Sequence, residues 1–115
     1  MKDKLETAIR DLRALLRATK KKGQDTVLEE TDLTDAAGAT FRGDYDQAKK
    51  LLRAIDRSRW MRTVRTSTLD VQQALELVRV EASLSAAIWS HDAREAARAV
   101  GRAFLEAGER SREGA

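Results

Sequence analysis

The sequence predicts an all-α fold, a single compact bundle of four to five helices packed as two stacked helical hairpins. Three observations carry that prediction. The 115 residues contain no proline and only six glycines, so little interrupts a helix. Ala, Leu, Arg, Glu and Lys, the strongest helix formers, dominate the chain. Aromatic residues make up 4% and β-branched residues are thin, so a sheet lacks its usual material. A chain this long supports one modest core, expected over residues 1–110, with a disordered tail over 111–115.

The first helix is expected from Asp3 to Lys21. Leu5, Ala8, Ile9, Leu12, Leu15 and Leu16 recur at helical spacing and form one apolar stripe, with Arg10, Arg13, Arg17 and Lys20 opposite. Acids in its first turn and lysines in its last suit the helix dipole, and Gly23 is the expected stop. Thr26 with Glu29 has the pattern of a capping box, which predicts a second helix whose narrow apolar face is Leu33, Ala36, Ala37 and Phe41. Asp44 with Gln47 opens a third, with Ala48, Leu51, Leu52 and Ile55 toward the core. Ser67 with Asp70 opens a fourth, and Asp92 with Glu95 a fifth.

The fourth predicted helix, Thr68 to Trp89, carries two apolar stripes. Val71, Leu75, Val78, Ala82 and Trp89 form one, and Leu69, Leu77, Val80, Leu84 and Ile88 the other. A helix apolar on two faces is expected at the centre of the bundle. The fifth presents Ala93, Ala96, Ala97, Val100, Ala103, Phe104 and Ala107, an alanine-rich face suited to close backbone approach. At an offset of 48 residues, Ala39-x-Phe41-x-x-Asp44-x-x-x-Ala48 aligns with Ala87-x-Trp89-x-x-Asp92-x-x-x-Ala96. Duplication and the chance likeness of two alanine-rich hairpins both account for it.

Several functions are excluded or disfavoured by composition. Without cysteine there is no disulfide, thiolate metal site or cysteine nucleophile. Charged residues follow Met1 at once and no run of about 18 apolar residues occurs, so neither a signal peptide nor a membrane span is expected. The expected address is the cytoplasm. A di-iron bundle needs two Glu-x-x-His pairs, and this chain has one histidine, His91.

Gly43-Asp44-Tyr45-Asp46-Gln47-Ala48, followed by Leu51 and Leu52, resembles the second helix of a tetratricopeptide repeat. That family packs a small residue at the Ala48 position against its partner helix, which implies a helical hairpin here. His91-Asp92-Ala93-Arg94-Glu95 slightly resembles the phosphoacceptor helix of histidine phosphotransfer domains. Glu95, however, stands where that family has a glycine, and the histidine falls at a helix start. A HEPN-type ribonuclease needs an arginine five to seven positions before its histidine, and Leu84, Ser85 and Ala86 occupy those positions. No catalytic constellation remains, so the chain is expected to be non-enzymatic and to need no metal or cofactor.

The formal charge of +3 is small, but its distribution is uneven. Lys49, Lys50, Arg53, Arg57, Arg59, Arg62 and Arg65 face Asp56 alone over residues 49–65. Asp25, Glu29, Glu30, Asp32 and Asp35 occupy 25–35 without a base. Arg57-Ser58-Arg59-Trp60-Met61-Arg62-Thr63-Val64-Arg65 combines guanidinium forks, which fit phosphate oxygens, with an indole that can stack on a base. Lys49, Lys50, Arg53, Arg57, Arg59, Trp60, Arg62 and Arg65 are therefore the candidate nucleic-acid-binding residues. Two geometries are open for this segment. Either the third helix breaks near Asp56–Ser58, or it projects past the core and presents its arginines. Trp60, Met61 and Val64 share a different arc and can form a new contact face; the alternative is that Trp60 and Met61 cap the core, with Arg57 and Arg65 paired to Glu29, Glu30, Asp32 and Asp35.

A basic helical bundle of this size is similar in architecture to the small helical subunits of CRISPR effector complexes, which pack side by side and line a nucleic-acid channel. That similarity implies a non-enzymatic subunit contacting nucleic-acid backbone in a larger assembly. The alternative is a protein-binding adaptor or homo-oligomeric bundle whose oppositely charged segments dock on each other.

Overall fold

A computed structural model describes residues 1–20, 25–88 and Leu105. The described residues form five helices: α1 (Lys2–Thr19), α2 (Val27–Phe41), α3 (Tyr45–Asp56), α4 (Arg59–Thr66) and α5 (Val71–Ile88). No strand occurs among them, and the all-α bundle predicted from composition is what the chain adopts. The predicted fifth helix, His91, the second half of the 48-residue offset and the expected tail lie outside the described residues.

α1 lies at the centre. Leu5, Ala8, Leu12 and Leu15 are fully enclosed, with α5 on one side and the α2–α3 hairpin on the other. The central place expected for the helix beginning near Thr68 is therefore corrected. Among the described residues of its two stripes, only Val80, Leu84 and Ile88 are buried, beside buried Ala87, while Leu69 and Leu77 pack partly against the core. Val71, Leu75 and Val78 remain 78, 50 and 66% exposed. Leu12→Ala is expected to cost about 2.7–5 kcal/mol, because α1 is held from both sides and cannot collapse into the void. Val78→Ala should stay within about 0.5 kcal/mol, as at other exposed sites. Urea unfolding of the two variants compares them directly.

The helix ends show how closely local chemistry sets the geometry. α2 closes through a Schellman turn: Asp44 N–H donates to the Ala39 carbonyl at 2.8 Å and Gly43 N–H to that of Thr40 at 3.1 Å. Gly43 occupies φ +79°, where a side chain would be strained. Asp44 then caps α3, its Oδ1 accepting from Gln47 N–H at 3.3 Å. Ala48 is fully buried within this hairpin, as the tetratricopeptide resemblance implied.

α2 starts where predicted, after Thr26, but the predicted cap there and the predicted start of the next helix are corrected. Thr26 does not cap α2 with its side chain. Its backbone (φ −122°, ψ 18°) is not the extended conformation that aims an N-cap oxygen at the first turn, and Asp25 Oδ1 instead accepts from Val27 N–H at 3.1 Å. α5 opens one turn later than Ser67. Asp70 and Gln73 cap each other, Gln73 N–H donating to Asp70 Oδ1 at 2.8 Å and Asp70 N–H to Gln73 Oε1 at 3.0 Å. The Gln73 amide also donates to the Ala18 carbonyl at 3.0 Å, which pins this start to the end of α1. Ser67 belongs to the end of α4, its hydroxyl donating to the Thr63 carbonyl at 2.6 Å.

Candidate nucleic-acid interface

Of the two geometries open for residues 49–65, the break is the one that forms. α3 stops at Asp56, Ser58 takes an extended conformation, and its Oγ accepts from Met61 N–H at 3.1 Å to start α4. A continuous helix would have carried Arg59 and Arg62 into the arc of Leu52 and Ile55. The break re-aims the chain so that Trp60, Met61 and Val64 turn inward, at 3, 0 and 3% exposure, and Arg59 and Arg62 turn outward.

Of the two roles open to Trp60, the structure takes the core one, and the stacking role is corrected. Its Nε1–H donates to the buried Thr19 hydroxyl at 3.3 Å, and that hydroxyl in turn donates to the Leu15 carbonyl at 2.8 Å. A buried indole needs a partner for its N–H, and the last turn of α1 supplies it. Neither face of the ring is open to a base.

Arg65 is engaged as well, but not with the acids of 25–35. Its Nε donates to Glu81 Oε1 at 2.7 Å, one terminal nitrogen meets Asp56 Oδ1 at 2.5 Å, and the other donates to the Asp56 carbonyl at 3.0 Å. The guanidinium thus ties the end of α3 to α5 across α4. Burial disfavours its charge, yet the hydrogen bonds and charges of Glu81 and Asp56 outweigh that and raise its pKa above the ordinary arginine value. The sign of the linkage follows: a raised arginine pKa gives stability that is lost only in strong base, so Arg65 stays charged in any ordinary buffer. With its side chain 35% exposed, the network is partly screened. Arg65→Gln should lower stability by about 1 kcal/mol in low salt, and thermal melts at rising salt should bring the variant and wild type together.

The remaining candidates divide by position. Arg53 is half-buried and donates to the Ile88 carbonyl at 2.7 Å, helping to join α3 to α5. Lys49 is half-buried and Lys50 exposed on the side of α3 away from the core. Arg57, Arg59 and Arg62 are exposed around the α3–α4 corner. Among the described residues, no acid forms a salt bridge with any of these six. Asp56 is the only acid of residues 49–65, and Arg65 holds it. Among the described residues, the corner is consequently a net-positive surface on which Arg57, Arg59 and Arg62 have no acidic partner.

A second basic surface forms on the side of α1 that the sequence places opposite its apolar stripe. Arg10, Arg13 and Arg17 line a cleft of about 350 Å³ between α1 and α2, together with Ile9, Ala37 and Phe41. Phe41 is 84% exposed, although the sequence places it on the apolar face of its helix. At about 100° per residue it lies roughly a third of a turn from Leu33, Ala36 and Thr40, which α2 buries along with Glu29 and Ala39. That offset was the available signal.

Among the described residues, no group of acids and histidine is placed to hold a metal ion, and no helix is long and apolar enough to cross a membrane. Compared with known proteins, the chain matches no family model, no curated protein and no solved structure.

Proposed function

We propose that the protein is a non-enzymatic helical subunit that contacts nucleic-acid backbone within a larger assembly. The observation that carries this reading is the α3–α4 corner, where Arg57, Arg59 and Arg62 stand exposed while Arg65 takes the local acid. Guanidinium groups match phosphate oxygens through paired N–H donors, and Lys49 and Lys50 add unspecific charge. With Trp60 buried, the corner itself offers no stacking, so it grips phosphate and reads no base. No cofactor enters this mechanism.

Gel shifts with duplex DNA and RNA test it. Arg57→Gln, Arg59→Gln and Arg62→Gln together should weaken binding to both, with base sequence making little difference and the melting transition unchanged. Wild-type protein that shifts neither duplex at low salt would sink the proposal. A second reading, a protein-binding adaptor or homo-oligomer, is favoured by the exposed stripe of Val71, Leu75 and Val78 on α5. Under it, light scattering would show self-association that charged substitutions in that stripe abolish.

A further inference from the structure

We infer that the α1–α2 cleft is a single-strand site, in which Phe41 stacks on a base and Arg13 and Arg17 hold the adjoining phosphates. This inference rests on the proposed nucleic-acid role and adds to it a preference that the α3–α4 corner does not supply. Three observations converge on the cleft. Phe41 has the highest exposure of any large apolar side chain among the described residues, and it sits at the cleft's edge. Burial is what an aromatic ring ordinarily gains from folding, so a ring left this open beside arginines has the form of a stacking platform.

The arginines supply the second observation. Positions 10, 13 and 17 share one face of α1 and span about 10 Å at 1.5 Å per residue. That is two to three nucleotides at roughly 3.4 Å each along a stacked strand. Among the described residues Arg13 and Arg17 have no acidic partner, and Arg10 has only Asp11, at 3.7 Å. Asp11 is in turn engaged by the Ser83 hydroxyl. The third observation is size and lining. A volume of about 350 Å³ floored by Ile9 and Ala37 admits one planar base and not a duplex.

Glu6 also lines the cleft, one turn before Arg10, with Lys2 Nζ 3.9 Å away. Its carboxylate repels phosphate at that end and directs the strand toward Arg13 and Arg17. The site selects single strands because a base can leave its stack to reach Phe41 only where it is unpaired. Stacking on Phe41 does not select a base, since every base has a face to stack.

The test measures anisotropy of labelled oligothymidylate and of a labelled mixed-sequence duplex against wild-type and variant protein. Phe41→Ala should weaken single-strand binding roughly 5- to 150-fold, leave duplex binding unchanged and leave the melting transition unchanged. Arg13→Gln with Arg17→Gln should flatten the single-strand slope of log K against log salt by about 1.4. A Phe41→Ala protein that binds both probes as wild type does overturns the inference. So does polyglutamate that binds wild type as tightly as the single strand and is weakened equally by the arginine pair, which makes the cleft an acidic-peptide site. Loss of duplex binding in the α3–α4 triple variant, with Phe41→Ala silent, removes this inference and leaves the corner standing. Single-strand loss in Phe41→Ala, with the triple variant intact, does the reverse. Wild type that binds neither probe overturns both.

Discussion

Trp60→Ala should destabilise the bundle by about 3–5 kcal/mol, the cost of emptying a buried aromatic position. The indole is 3% exposed and carries the largest apolar surface of α4, an eight-residue helix too short to hold its shape alone. Removing it also leaves Thr19 without the N–H that its hydroxyl accepts, at the point where α1 ends. Trp60→Phe separates the two contributions: most of the packing survives, and the lost hydrogen bond alone should cost about 1 kcal/mol. Urea denaturation of both variants gives the comparison. If Trp60→Ala instead weakened single-strand binding and left stability intact, the inward orientation of α4 would be wrong.

That expectation also shows what the sequence could and could not convey about residues 57–65. Arginine and tryptophan interleaved in nine residues have the composition of a nucleic-acid contact, and composition carries no direction. Direction comes from the helix break. Ser58 restarts the helical phase, and in the new phase Trp60, Met61 and Val64 share an arc opposite Arg59 and Arg62. Both the break and that arc were legible as alternatives, because Arg59 and Arg62 fall on the apolar side of an unbroken helix. Which one forms depends on whether Thr19 and the end of α1 are there to receive the indole, a contact across 41 residues.

The fold class was legible for a simpler reason. Absent proline, strong helix formers and short polar caps all point the same way, and such agreement is what specifies a fold. Helix order was not sufficient to place the centre. α1 has one apolar stripe and α5 has two, so periodicity favours α5; yet α1 is enclosed by α5, α2 and α3, while Val71, Leu75 and Val78 stay exposed. A hydrophobic face reports that it can be covered and does not report by what. Arg65 was misassigned through the same limit. Its partners Asp56 and Glu81 come together only when α4 packs between α3 and α5, and no local pattern links them.

The central claim is that the α3–α4 corner grips phosphate, and the salt dependence of duplex binding tests it most directly. Each neutralised phosphate releases counterions, so log K falls against log salt with a slope of about −0.9 per contact. Replacing Arg57, Arg59 and Arg62 with glutamine removes three such contacts and should flatten the slope by about 2.7. Near 0.1 M salt the same loss corresponds to roughly 10²- to 10³-fold in affinity. The substitutions are on exposed side chains, so the melting transition should not move by more than about 0.5 kcal/mol. A slope flattened by that amount, with the fold intact, is the predicted result. Equal slopes for wild type and the triple variant would contradict it.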